Sequence, residues 1–214
     1  MKNMLLSLML WAGLASGAAW ADTPQLGTQF EQVAQQITTD QPAKIEVMEI
    51  FWYGCPHCYH MEQPLDAWVK KLPSDVYFKR VPGLPNPSWA PMAKAYYAMQ
   101  ELGVLDKLHS KLFDAIHKSK TLNPADEAGA IDWVTQQGGL DKIKVEKAFK
   151  SFATNMQLNK AMQIFRASGA TGVPALVIDG KYITGSSMAG GNEAALQTAD
   201  YIIQNIRKEK AAKK

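Results

Sequence analysis

The chain has only two cysteines and four histidines among 214 residues, a formal net charge of +3, no internal repeat and no low-complexity segment. Two cysteines, Cys55 and Cys58, leave no second pair to complete a zinc site. His57 and His60 stand too close to them in sequence to close a tetrahedron easily. Tyr59 follows the second cysteine directly, where covalent haem attachment needs a histidine. The small net charge, with no long Lys/Arg face apart from the tail, points away from a nucleic-acid partner. No apolar run reaches the roughly 20 residues that a comfortable membrane span needs. What is there is 47% hydrophobic, with six Trp and 20% charged residues. That is a globular composition, long enough for one domain with a real core or one domain carrying an insertion.

Residues 1–21 read as a cleaved secretory signal peptide. Lys2 supplies a short positive region, Met4 to Leu14 an apolar one, and Ala19-Trp20-Ala21 an A-x-A cleavage site, so the mature chain is expected to begin at Asp22. No cysteine follows the apolar stretch, which argues against a lipoprotein. Export also sets the redox compartment. Outside the cytosol two cysteines are expected to be oxidised, and a close pair that is easily reduced suits a catalyst better than a staple.

The chain is organised around Phe51-Trp52-Tyr53-Gly54-Cys55-Pro56-His57-Cys58-Tyr59-His60, which holds both cysteines. The apolar run Ile45 to Tyr53 reads as a strand buried on both faces. The amphipathic run Tyr59 to Lys71 reads as a helix that begins at the cysteines. Pro56 fits the first helical position, because the N–H it lacks has no partner inside a helix. Cys55 is thereby placed at the N-cap, where unpaired N–H groups and roughly half a positive charge gather. A thiolate is stabilised there, so Cys55 is expected to be the reactive sulfur and Cys58 the buried resolving one. A purely structural disulfide in so small a ring would restrict little loop entropy. Glu49, inside the strand, is costly unless paired or neutral. Its functional reading is a buried acid beneath the cysteines that accepts or relays their proton; the alternative is a place at the strand's solvent edge.

Further along, Gln29–Val33 is expected to form a short edge strand, and Val76 to Val81 another strand. Pro64 predicts a kink in the first helix, and the punctuated loop Pro82 to Pro87 marks a boundary. Five helices are expected between Ser88 and about Ser168: Ser88 to Leu102, about Asp106–Lys118, one opening at Asn123-Pro124, one at Asp141 carrying Ile143, Phe149 and Phe152, and Thr154 to Ser168 with Met156, Met162 and Phe165. The Met and aromatic stripe is read as core, and His109 and His117 as solvated. Strand character returns at Ala175 to Ile178, followed by a two-residue turn at Asp179-Gly180 and a strand over Lys181 to Thr184. Gly185 to Gly191 reads as a flexible loop. A last helix opens at Asn192, buries Leu196, Ala199, Ile203 and Ile206, and frays from Arg207 onward. A βαβ half and a ββα half separated by helices read as an α/β, thioredoxin-type fold with an inserted all-helical domain. The expected boundaries are 22–87 with 169–214 for the thioredoxin-like domain and 88–168 for the insertion. Gly172-Val173-Pro174, just before the returning strand, is a candidate for a cis X-Pro bond.

Glu49 and Gly54-Cys55-Pro56-His57-Cys58-Tyr59, with Gly172-Val173-Pro174 and Asp179-Gly180-Lys181-Tyr182 downstream, resemble the DsbA family of periplasmic thiol:disulfide oxidoreductases over essentially the whole mature chain. The resemblance implies a thioredoxin fold, a cis bond before Pro174, a buried acid at Glu49, and substrate peptide bound by Val173 and Pro174 beside Cys55. It implies an oxidase whose only redox group is the Cys55–Cys58 disulfide, with no other cofactor and no metal. Its partners would be reduced, unfolded exported proteins and a membrane, quinone-coupled DsbB-type protein that re-oxidises it, and the expected assembly is a monomer. His57 can add a positive charge or a hydrogen bond to the Cys55 thiolate. The family often has a lysine where Arg80 stands here, so the partner of Glu49 is either Arg80 or Lys79. The rivals are an isomerase or reductase of the same fold, or a non-catalytic peptide-binding thioredoxin-like module. An isomerase usually gains from a dimerisation domain, and Asp22–Ala43 is too short to be one.

Overall fold

A computed structural model describes residues 23–212, so the expected signal peptide lies outside the described residues. The centre is strand β2 (Ile45–Phe51), in which all seven residues are buried. Strand β1 (Phe30–Gln32) precedes it, and helix α1 (Pro56–Val69) leads from it to strand β3 (Val76–Pro82). Strands β4 (Ala175–Ile178) and β5 (Tyr182–Gly185) return after the helical block, and the sheet order is β1-β5-β4-β2-β3. β3 runs parallel to β2, β4 antiparallel to it, and β1 and β5 extend the sheet antiparallel. Successive side chains of β2 point to opposite faces. Val47 packs with Met61 and Leu65 of α1 and with Leu196, Ala199, Ile203 and Ile206 of α8 (Asn192–Ala212). Met48 and Ile50 face the larger core built with the helical block.

That block holds α2 (Ala90–Glu101), α3 (Leu105–His117), α4 (Glu127–Gly138), α5 (Lys142–Phe149) and α6 (Phe152–Ser168), with a short 3-10 turn at Pro87–Trp89 ahead of them. All five lie between β3 and β4 in the chain, so the thioredoxin-type sheet is interrupted by helices alone. Three local expectations are corrected. Asn123 does not open α4: its Oδ1 accepts from the Ala125 N–H in a turn, and Asp126 caps the helix by accepting from the Gly129 N–H. Phe152 and Met156 are exposed rather than core, because the buried stripe of α6 runs through Thr154, Leu158, Ala161 and Ile164. His109 is not solvated; it is 7% exposed and packed against Phe51, Tyr53 and Phe113.

The C-terminal part also differs from expectation. Gly185 to Gly191 is not a free loop, since Ser186–Ala189 forms the short helix α7. The basic tail is docked as far as Lys210: Arg207 grips Asp75 through two nitrogens, and Lys210 donates to Asp179 and to the Lys44 carbonyl. The hairpin turn has Asp179 and Gly180 at φ 52° and 64°, and Lys181 is an extra unpaired residue before Tyr182. Gly180 is needed twice over: its φ is left-handed, and a Cβ there would stand 1.9 Å from the Ile37 carbonyl oxygen. Ile37 donates its N–H to the Gly180 carbonyl at 2.9 Å, so the two segments cannot separate cheaply. Gly180→Ala is expected to cost more than about 1 kcal/mol, read as a lower urea midpoint at unchanged m-value; an equal midpoint would show that the 36–38 segment yields freely.

Candidate active site

The last residue of β2 and the first turn of α1 fix the cysteines. Cys55 is the N-cap of α1 in extended backbone, Pro56 follows at the first helical position, and the Cys58 N–H donates to Cys55 Sγ at 3.4 Å. The Cys55 N–H is held by the Trp52 carbonyl at 3.0 Å. The indole of Trp52 lies over Gly54, where a Cβ would come within 2.4 Å of the ring, and stacks on Trp89 at 4.2 Å and 9°. Both cysteines are unbonded thiols in this structure; Cys55 is 8% exposed and Cys58 fully enclosed.

The electrostatics separate the two sulfurs. The Cys55 thiol is lowered from its ordinary 9.0 to about 6. The hydrogen bond from Cys58 is the main cause; burial opposes it, and the backbone N–H groups of Cys58 and His57 and the charge of His57 add to it. His57 itself is exposed. Burial, followed by the proximity of Cys55, pushes the Cys58 thiol well above 9.0, and the charge of Glu49 reaches it in the same sense. The site therefore holds one thiolate and one thiol near neutral pH, with the charge on the outer sulfur.

The Val173–Pro174 bond is cis, and Cys55 Sγ lies 3.4 Å from the Val173 carbonyl oxygen. A shallow cavity of about 350 Å³ opens beside it, lined by His57, Val173, Pro174, Ser186, Gly190 and Asn192. Three chain segments distant in sequence, the cysteine turn, Val173–Pro174 and Ser186 to Asn192, thus meet beside Cys55.

Glu49 is buried on the α1 side of β2, not at a solvent edge. It pairs with Arg80, directly across the β2–β3 register, at 3.0 Å. Lys79 points to the other face and pairs with Asp40 and Glu46, each at 2.7 Å, so strand alternation decides the choice for Arg80. Arg80 also reaches Asp66 at 2.8 Å and Glu62 at 3.5 Å on α1. Burial raises the Glu49 carboxyl to about 8, against the pull of Arg80 and with a further push from Glu62. Sequence reasoning missed Glu62, Asp66 and His109. A signal for the first two was present: residues 58, 62 and 66 follow one another at i, i+4 on α1 and share a face. No local pattern marks His109, which reaches Glu62 Oε2 at 3.2 Å from α3. Among the described residues no group of three or more His, Cys, Asp or Glu is arranged to hold a metal ion.

The DSBA-like thioredoxin domain family matches residues 75–197. The thiol:disulfide interchange protein DsbA of Pseudomonas aeruginosa is 39% identical over 217 residues, covering all of both chains. That of Burkholderia cepacia is 37% identical over 98% of this chain and all of its own. The crystal structure of Pseudomonas aeruginosa DsbA superposes with a TM-score of 0.82 at 38% identity, over 91% of this chain and 99% of that one. DsbA from Xylella fastidiosa gives 0.81 at 26% identity, over 87% and 99%. The domain match starts after the cysteines, but the full-length relatives cover the cysteine turn as well as the helical block. The chain belongs to the DsbA family of thiol:disulfide oxidoreductases.

Proposed function

We propose that the Cys55–Cys58 disulfide is donated to reduced, unfolded exported proteins in the periplasm, after removal of a signal peptide at Ala21. One observation carries the direction of the reaction: the outer thiol is held down to about 6 while its neighbour is pushed up. A disulfide has no charge to stabilise at the helix N-terminus, whereas the Cys55 thiolate has. The reduced form gains, so the oxidised form is a stronger oxidant, by about 30 mV for each pKa unit below the working pH.

A substrate thiolate attacks Cys55 Sγ and breaks the bond to Cys58, which leaves as a thiolate and takes a proton. Glu49, neutral below about pH 8, is the proposed donor of that proton. A second substrate thiolate then attacks the substrate sulfur of the mixed disulfide and expels Cys55, whose low pKa makes it a good leaving group. The substrate dithiol loses two protons and two electrons; Cys58 keeps one proton, Cys55 stays a thiolate and one proton goes to solvent. Val173 and Pro174 bind substrate backbone at the cavity beside Cys55, and Pro56 and His57 shape the turn that presents the sulfur. No cofactor other than the disulfide takes part. A membrane, quinone-coupled DsbB-type protein restores the disulfide, and the working unit is a monomer. Among the described residues no helix is long and apolar enough to cross a membrane. We also propose the domain division 22–87 with 169–214 and 88–168, since α2 to α6 are contiguous in the chain.

The deciding experiment is the equilibrium of the pair against glutathione buffers. The pair is expected to stay reduced until the buffer is strongly oxidising; a disulfide that persists in reducing buffer sinks the donor reading and favours a reductase. Pro174→Thr is expected to trap mixed disulfides with substrates, visible as adducts on non-reducing gels; their absence would remove Pro174 from the binding site.

The thiolate also links stability to pH. A group whose folded value is depressed contributes stability above its unfolded value and loses it as pH falls through the folded one. For Cys55 that window runs from 9.0 down to about 6. The stability difference between the reduced protein and Cys55→Ala should therefore grow as pH rises across that window. A difference that does not change with pH would mean that Cys55 is not held as a thiolate.

A further inference from the structure

Trp52, Tyr53, Gly54 and Cys55 form a turn, closed by the Cys55 N–H on the Trp52 carbonyl at 3.0 Å. Its central peptide, Tyr53–Gly54, has two orientations that keep the same closing bond. They are the type I and type II turns, and they differ by a half-rotation of that one peptide. Type II needs positive φ at the third residue, a conformation that a Cβ disfavours and glycine adopts freely. Here that residue is Gly54, and nothing larger fits: a Cβ there would stand 2.4 Å from the Trp52 indole. The chain therefore cannot use a side chain at this position to bar the second orientation. Yet neither Tyr53 nor Gly54 has positive φ, so the turn holds the type I sense.

The group that selects this orientation is on α3. His117 is half-buried, and its Nε2 lies 2.7 Å from the Tyr53 carbonyl oxygen. A carbonyl oxygen only accepts, so Nε2 carries the proton, in the neutral ring and in the charged one alike. Stacking fixes the plane of the imidazole for that bond. The Tyr59 ring lies on it at 5.0 Å and 17°, and the Phe113 ring flanks it at 6.1 Å and 29°. Tyr59 is fixed in turn by its hydroxyl, which donates to Asp114 Oδ1 at 2.8 Å. In the type II orientation the Tyr53 carbonyl would turn away from α3 and the Gly54 N–H would take its place, leaving one N–H facing another. The bond from His117 thus distinguishes the two orientations, which the closing bond of the turn does not.

We infer that His117 is a positioning residue that latches the Tyr53–Gly54 peptide in one orientation and so keeps Cys55 Sγ at the N-cap of α1. It touches neither substrate nor sulfur and acts through the turn. Cys55 is the next residue, and a turn free to switch would move its backbone between two settings. Cys58 supports the thiolate through hydrogen bonds to Cys55 Sγ, and these would then be made only part of the time. The inference rests on Cys55 being the reactive thiolate.

The test is a thiolate titration of the reduced full chain, read by ultraviolet absorbance, for wild type, His117→Leu and His117→Gln. Leucine removes the donor; glutamine keeps an N–H that can reach the carbonyl. His117→Leu is expected to raise the pH at which the Cys55 thiolate forms by about one unit. It is also expected to move the equilibrium with glutathione about tenfold toward the disulfide. His117→Gln is expected to restore most of both. An unchanged titration in His117→Leu overturns the inference. So does an equal shift in both variants, which would mean that the ring supports the turn by packing alone. If wild-type Cys55 itself forms its thiolate only in the ordinary thiol range, the reading of Cys55 fails first and the latch with it. A measurement on the wild type covers the case in which His117→Leu does not fold. Nitrogen NMR of the labelled imidazole is expected to place the proton of the neutral ring on Nε2; a proton on Nδ1 overturns the inference.

Discussion

The proposed function depends on one weak contact, the Cys58 N–H directed at Cys55 Sγ across the first turn of α1. A helix leaves its first N–H groups without partners, and a sulfur at the N-cap is the nearest acceptor. The rest of the local structure keeps that sulfur at the helix end. Pro56 sets the first helical φ without wasting a donor. The Trp52 carbonyl anchors the Cys55 N–H, and Gly54 leaves room for the indole above it. Because the same helix buries Cys58 against the sheet, stabilising one sulfur as an anion and suppressing the other follow from a single placement.

The second constraint is the charge beneath α1. A lone buried carboxylate costs several kcal/mol even after relaxation, and Glu49 meets that cost by sharing Arg80 and by remaining protonated to about pH 8. The two answers pull in opposite directions: Arg80 favours the carboxylate, while burial and Glu62 favour the acid. A group balanced in this way can change protonation state near neutrality, which a fully paired or a fully isolated carboxylate could not. The Lys79–Glu46–Asp40 pairing on the opposite face shows the contrast. There a cation meets its acids without a cysteine nearby.

Most of the fold was legible because its signals are local. Dense apolar, β-branched runs mark β2 and β4, the Asp179-Gly180 pair marks the hairpin, and the cysteine turn carries its own proline. The element order gave the inserted helices. The site was legible as far as it lies along the chain. Side chains that reach it from other elements were not, and His109 is the clear case: a histidine on an amphipathic helix looks solvated until the packing against Phe51 and Tyr53 is known. The Arg80 and Lys79 alternatives could be separated only by register, because a one-residue difference on a strand is a change of face. Asn123 was misread because its side chain satisfies a turn as readily as a helix end. The docking of Arg207 and Lys210 depends on Asp75 and Asp179, which are far away in sequence.

The inserted helices do more than enlarge the core. α3 holds the flanks of the cysteine turn at three points: His109 at the Tyr53 hydroxyl, His117 at the Tyr53 carbonyl at 2.7 Å, and Asp114 at the Tyr59 hydroxyl at 2.8 Å. Phe113 fills the space between, against Phe51, Tyr53 and Tyr59. Tyr53 and Tyr59 lie on either side of the cysteine turn, so α3 clamps both of its ends. Rigid positioning of the first turn is what an N-cap thiolate needs, since the stabilisation falls off within that turn. A bare βαβ half would leave the turn supported from the sheet side alone. The insertion supplies the opposing surface, and through His109 it sets Tyr53, ahead of the cysteine turn, beside Glu62 of α1.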